Sequence, residues 1–294
     1  MGSAIVREGL WFGECPRWHD GRLWYSDFYD HAVHALAPDG TDERVLEVAG
    51  QPSGLGWLPD GRMLIVSMTD RRVLRREHDG AVVTHADLAD LAGFHCNDMV
   101  VDASGRAYVG NFGFDYEAVV REHGAEGLFG DPGPTPATLA RVDPDGSVTA
   151  AADQLLFPNG AVLTPDGTTL IIAETMAMRL TAFDVAPDGT LAGRRVWADL
   201  GERFIAPDGI CLDAEGAVWV ANAIAPTLVR VVEGGGVADE VTFSQLCFAC
   251  MLGGPDGRDL YAMTAPSSLA HDAAQAPLGR IEMATVAVGH AGRP

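Results

Sequence analysis

The chain has 294 residues, 47% of them hydrophobic and 21% charged, with a formal net charge of −21. That composition supplies ample core material for a globular protein, and so acidic a surface disfavours nucleic-acid and anionic-membrane partners. No basic-then-apolar leader opens the chain and no run approaches the ~20 apolar residues of a membrane span, so a cytoplasmic location and a small-molecule partner are expected.

Six short glycine turns, each followed by a compact apolar run, punctuate the chain. They are His19-Asp20-Gly21, Pro59-Asp60-Gly61, Ala103-Ser104-Gly105, Pro165-Asp166-Gly167, Ala214-Glu215-Gly216 and Pro255-Asp256-Gly257. Their glycines are 40, 44, 62, 49 and 41 residues apart. A second set, including Pro38-Asp39-Gly40, His78-Asp79-Gly80, Pro144-Asp145-Gly146 and Pro187-Asp188-Gly189, falls between them. Two hairpin turns per repeat fit a four-stranded antiparallel meander. Six such repeats predict an all-β, six-bladed β-propeller filling residues 1–294 as one domain. A terminal strand is expected to complete the first or last blade.

The 62-residue interval holds extra sequence at about 112–137, with a short helical piece over 117–123. Directly after a strand near the axis, it is expected to act as a lid over one face. The odd count of five cysteines argues against a disulfide framework. Cys247 and Cys250 form a lone C-x-x-C whose apolar neighbours Phe248, Met251 and Leu252 read as buried strand.

Aligning the repeats on their turns gives one column: Glu14, Ser53, Asn97, Asn159, Asp208 and Ala249. The column is polar where its flanks are apolar, and a propeller brings equivalent positions together around its axis. Carboxylates and carboxamides converging there are costly to desolvate unless a cation neutralises them. Oxygen donors without His or Cys suit a hard ion, Ca²⁺, Mg²⁺ or Mn²⁺. Asn-Gly and Asp-Gly pairs also occur simply as turn formers. A second set of polar residues, Asp27, Asn111, Glu174 and Asn222, falls at strand ends and is expected to bind backbone there. Arg17, Arg62, Arg106 and Arg258 read as blade-edge ion pairs, and His123, His271 and His290 as solvated.

Gly13-Glu14-Cys15-Pro16-Arg17-Trp18, Asn97-Asp98 with Asp102 to Arg106, Phe157-Pro158-Asn159-Gly160 and Ala206-Pro207-Asp208-Gly209 carry a resemblance over nearly the whole chain. They resemble the motifs of the regucalcin/gluconolactonase family, also called senescence-marker-protein and luciferin-regenerating-enzyme-like (SMP-30/gluconolactonase-like). The resemblance implies a six-bladed propeller and one divalent ion held by Glu14, Asn159 and Asp208. Calcium comes first, with magnesium, manganese, zinc or iron as alternatives. It implies that Asn97 contacts substrate and that Asp208 doubles as ligand and proton acceptor. Where many sugar lactonases of the family carry Arg, two residues before that Asn, this chain has His95, which lacks a guanidinium donor for sugar hydroxyls. The expected activity is metal-assisted hydrolysis of a lactone or related cyclic ester, with Asp208 and Asn97 catalytic. His95, Asn97, Asn111, Phe114 and Tyr116 are expected to bind the substrate. Rival expectations are a phosphotriesterase, a metal-assisted isomerase or cyclase on the same ring, and a non-catalytic binding platform.

Overall fold

A computed structural model describes residues 2–292; the outermost residues of the predicted 1–294 unit lie outside the described residues. Six four-stranded antiparallel sheets form a six-bladed propeller. The inner strands are Gly13–His19, Pro52–Trp57, Cys96–Val101, Pro158–Leu163, Pro207–Leu212 and Leu246–Gly253. Each packs against the next, and the first packs against the last. Closure comes from the amino end: Ala4–Leu10 pairs antiparallel with Gly279–Thr285 as the outermost strand of the sixth blade.

The repeated turns follow from local chemistry. In the Pro-Asp-Gly turns the Asp carboxylate accepts the N–H of the residue after Gly: Arg62 on Asp60 at 3.1 Å, Thr168 on Asp166 at 3.0 Å, Thr190 on Asp188 at 2.9 Å. The glycine takes positive φ, 87° at Gly61 and 71° at Gly167, where a side chain would be strained. Burial falls outward across each blade. The inner strand Pro207–Leu212 is buried throughout, whereas Ala4–Leu10 is exposed except for Leu10. Apolar side chains of neighbouring blades interlock between the sheets, as Met99, Leu64, Val66 and Val109 do between the second and third.

All six inner pairings slip register near their start, between Pro52/Leu55, Cys96/Met99, Pro158/Ala161, Pro207/Ile210, Cys247/Ala249 and Glu14/Arg17. One extra residue there is a β-bulge, which bends the strand and re-aims a side chain. These bulges lie at the ring's axis and hold the polar column. The sixth blade corrects the alignment. Cys247 pairs with Thr264 and Cys250 with Ala262, which puts Phe248, not Ala249, in the column.

The insertion forms helix α1 (Tyr116–His123), opened by Asp115, whose side chain accepts the Ala118 N–H at 2.9 Å. The strand-end polar residues bind backbone as expected. Asp27 accepts from Trp11 and Phe12, Glu174 from Leu156, and Asn222 from Ala206. Arg62, Arg106 and Arg258 form ion pairs at blade edges. Arg17 does not. It is buried, donating to the carbonyls of Pro16 at 2.9 Å and Met99 at 2.8 Å. His290 is half-buried and bridges to Asp213, so it too departs from the solvated expectation. Cys247 and Cys250 are buried strand residues, the latter 3.8 Å from the Cys211 sulfur. No helix among the described residues is long and apolar enough to cross a membrane.

Candidate functional site

A cavity of about 380 Å³ opens at one end of the axis. Its floor carries Glu14, Asn97, Asn159 and Asp208, contributed by the inner strands of four different blades. All four are almost fully buried. The Glu14 carboxylate accepts the Cys15 N–H at 3.1 Å. Asn159 donates through Nδ2 to the Thr175 hydroxyl at 3.2 Å, and that hydroxyl donates to the Pro207 carbonyl at 2.7 Å. This chain of bonds leaves the Asn159 amide oxygen as its free donor toward a ligand. Asn97 Nδ2 is buried without a partner.

The charges on this floor oppose one another. Burial, reinforced by repulsion from Asp208 and Asp98, pushes the Glu14 carboxyl well above the usual range. Asp208 is pushed up by burial and by Asp98, against the Asn159 amide and the Gly209 N–H. Two carboxylates that share a buried floor and destabilise each other's ionised form fit a divalent cation, as does the neutral oxygen of Asn159 beside them. Among the described residues no three His, Cys, Asp or Glu side chains cluster as a metal site. A set with only two carboxylates and one amide agrees with that.

Asp98 and Arg17 were not singled out in the sequence as site residues, and both belong to this centre. Asp98 follows Asn97 within the bulge, is raised by burial and is lowered by Arg17 and Cys15. The Arg17 guanidinium is the cation acting on both Asp98 and Glu14. The signal was present in the Asn97-Asp98 pair: two adjacent polar residues in an otherwise apolar inner strand.

His95 and Tyr116 line the cavity. His95 stacks on Phe94 with centroids 4.0 Å apart, and burial holds its imidazole below the ordinary value, hence neutral near pH 7. The Tyr116 hydroxyl donates to the Ser268 carbonyl at 3.0 Å. Asn111 and Phe114 are not among the lining residues. Asn111 donates to the Thr138 carbonyl and accepts the Gly113 N–H, so both ends of its amide are engaged in shaping the loop. Phe114 packs edge-on against Phe157, 6.4 Å away. The walls missed in the sequence are aromatic: Phe12, Phe28, Phe94, Phe157 and Phe248, beside Phe112 of the insertion. Phe12 and Phe157 stand one residue before their inner strands, a recurrence that the alignment carried.

A family model described as the SMP-30/Gluconolactonase/LRE-like region matches residues 12–266. A pentonolactonase of Haloferax volcanii is 28% identical over 272 residues, covering 90% of this chain and 84% of that protein. Regucalcin of Xenopus laevis is 25% identical over 276 residues, covering 92% of this chain and 88% of that protein. A solved calcium-binding protein, regucalcin, from Agrobacterium tumefaciens superimposes with a TM-score of 0.78 at 23% identity, covering 100% and 96% of the two chains. At that identity the structural likeness speaks for the fold, while the family match spans most of the chain. The protein belongs to the SMP-30/gluconolactonase/LRE-like family.

Proposed function

We propose that the protein is a metal-dependent hydrolase of a lactone or related cyclic ester. One observation carries the reading: bulge residues from four blades, Glu14, Asn97, Asn159 and Asp208, meet on one cavity floor. Family membership supports the same reaction class, as does the lactonase activity named for the Haloferax relative. Glu14, Asn159 and Asp208 would hold the ion, with calcium the first candidate. Such an ion supplies polarisation of the ester carbonyl and stabilisation of charge on its oxygen.

The remaining chemistry belongs to the side chains. Asp208 takes a proton from the attacking water. The water oxygen bonds to the carbonyl carbon, the ring C–O bond breaks, and the proton passes to the released alkoxide. Asn97 offers its unpartnered Nδ2 to orient substrate or water. The 112–137 insertion is a lid: Phe112, Asp115, Tyr116, Glu117 and Phe129 all line the cavity. It is latched to the last blade by Tyr116 on Ser268 and by the Ala270 N–H on Glu117 at 2.8 Å.

The test is hydrolysis of a lactone panel with calcium, with chelator, and by the Asp208→Asn variant. Turnover should disappear with chelator, return with calcium and fall at least a hundredfold in the variant. Chelator-insensitive turnover, or a variant as fast as the parent, would refute the proposal.

A further inference from the structure

We infer that the cavity selects a substrate whose body is a flat apolar ring, and not a polyhydroxylated sugar. The inference rests on the hydrolase reading for its reaction but on the walls for its specificity. Phe112 and Phe157 stack at 4.5 Å with planes 12° apart, and Phe12 lies 4.9 Å from Phe248 and 5.3 Å from Phe28. Met68 and Met176 line the cavity and pack in the same cluster as these rings. Thioethers and ring faces suit an aromatic guest. Apolar surface continues to the mouth, where Phe129 and Ile224 line the cavity yet are 47% and 42% exposed. The volume of about 380 Å³ falls within the ~300–1,000 Å³ of pockets for ring-bearing ligands.

Of the polar groups around the cavity, Tyr29, Gln51 and His95 keep side-chain atoms without an intramolecular hydrogen bond, but five others are already engaged and point the same way. The Tyr116 and Thr175 hydroxyls donate to backbone carbonyls, the Asn159 amide donates to Thr175, Asp115 caps α1, and Glu117 accepts the Ala270 N–H. Asn97 Nδ2 is the buried amide donor left over. A sugar lactone would bring several hydroxyls into contact with phenylalanine faces. Each hydroxyl stripped of water without a partner loses on the order of tenfold in affinity. His95 reinforces the preference: a neutral imidazole stacked flat on Phe94 extends the aromatic wall.

Binding and turnover test the two layers separately. Calorimetric titration of the calcium-loaded protein uses two inert lactams, dihydrocarbostyril (aromatic) and gluconolactam (polyol). Dihydrocarbostyril should bind at least tenfold tighter. Equal affinities, the opposite order, or no binding of either overturns the inference. Phe94→Ala, at a half-buried wall position, should weaken dihydrocarbostyril by about two- to tenfold and leave gluconolactam unchanged. An unchanged dihydrocarbostyril affinity removes the wall from the argument. Turnover of dihydrocoumarin against gluconolactone follows on the same samples. If the aromatic lactam binds but neither lactone is hydrolysed with calcium, the hydrolase reading fails while the specificity inference stands.

Discussion

Changing one floor carboxylate separates an ion-binding centre from a merely polar one. Glu14 and Asp208 are both held above the ordinary carboxylate range by burial, and each has the other or Asp98 as a repelling neighbour. Calcium at a hundred times its dissociation constant adds about 2.7 kcal/mol to the folded state. For 294 residues, an unfolding entropy of ~2.1 cal/mol/K per residue converts that to a rise in Tm of roughly 4 °C. Asp208→Asn has two signatures. It should cut the calcium-induced rise to within about 1 °C, because an anionic donor is lost. It should also melt at or above the parent when both are ion-free, because one of two mutually repelling carboxylates is gone. Asn159→Asp is the control: a third carboxylate on the floor should lower the ion-free Tm and keep the rise. Differential scanning calorimetry with chelator and with calcium reads both quantities. A variant that keeps the full rise, or melts well below the ion-free parent, refutes the reasoning.

Arg17→Met should destabilise by about 1–3 kcal/mol, since it leaves the buried Pro16 and Met99 carbonyls without their donor and removes the cation acting on Asp98, and adding Asp98→Asn should recover part of that in urea unfolding. A single variant as stable as the parent would contradict the role given to Arg17. His34 supplies a pH dependence. Burial pulls its imidazole down, but the Asp42 carboxylate 3.5 Å away and the bond to Asp30 at 2.9 Å outweigh burial and the net shift is upward. Its contribution to stability is therefore complete below the unfolded value of about 6.5 and is lost as pH rises through the higher folded value. His34→Asn should flatten the fall in Tm above neutral pH, and equal slopes in the two proteins would dismiss the assignment.

The blades were legible because their turns are local. An Asp that caps the N–H two residues on, followed by a glycine at positive φ, writes the hairpin into three letters, and the same letters recur around the ring. The polar column was legible for the same reason, since Ser53, Asn97, Asn159 and Asp208 each sit eight residues before their turn glycine, and Glu14 seven. What depends on strand pairing was harder to see. The inner hairpin of the sixth blade runs one rung longer, from Cys247 to Gly253 opposite Asp259 against Pro52 to Trp57 opposite Met63 in the second, which moves the column to Phe248, and no letter in the sixth repeat marks it. Arg17 looks like the other turn-flanking arginines, yet it follows the bulge in the first blade's inner strand, and one of the two carbonyls it donates to, that of Met99, comes from the third blade. Asn111 adjoins the 112–137 insertion and Phe114 lies within it, but Asn111 binds the loop backbone and Phe114 packs edge-on against Phe157.

The glycines after Asn159 and Asp208 decide between turn former and hub device. Neither is at positive φ, so neither is a turn glycine. A Cβ on Gly160 would lie 2.6 Å from the Asp208 carbonyl oxygen, and one on Gly209 would lie 2.7 Å from the Ala249 Cα. Both contacts are with the next inner strand around the ring. The glycine therefore lets neighbouring blades close on the axis, while the residue before it points into the space that closure creates. A wider hub would separate Asn159 from Asp208. The same two letters that can signal a loose turn elsewhere thus set both the chemistry of the floor and the radius at which its donors meet.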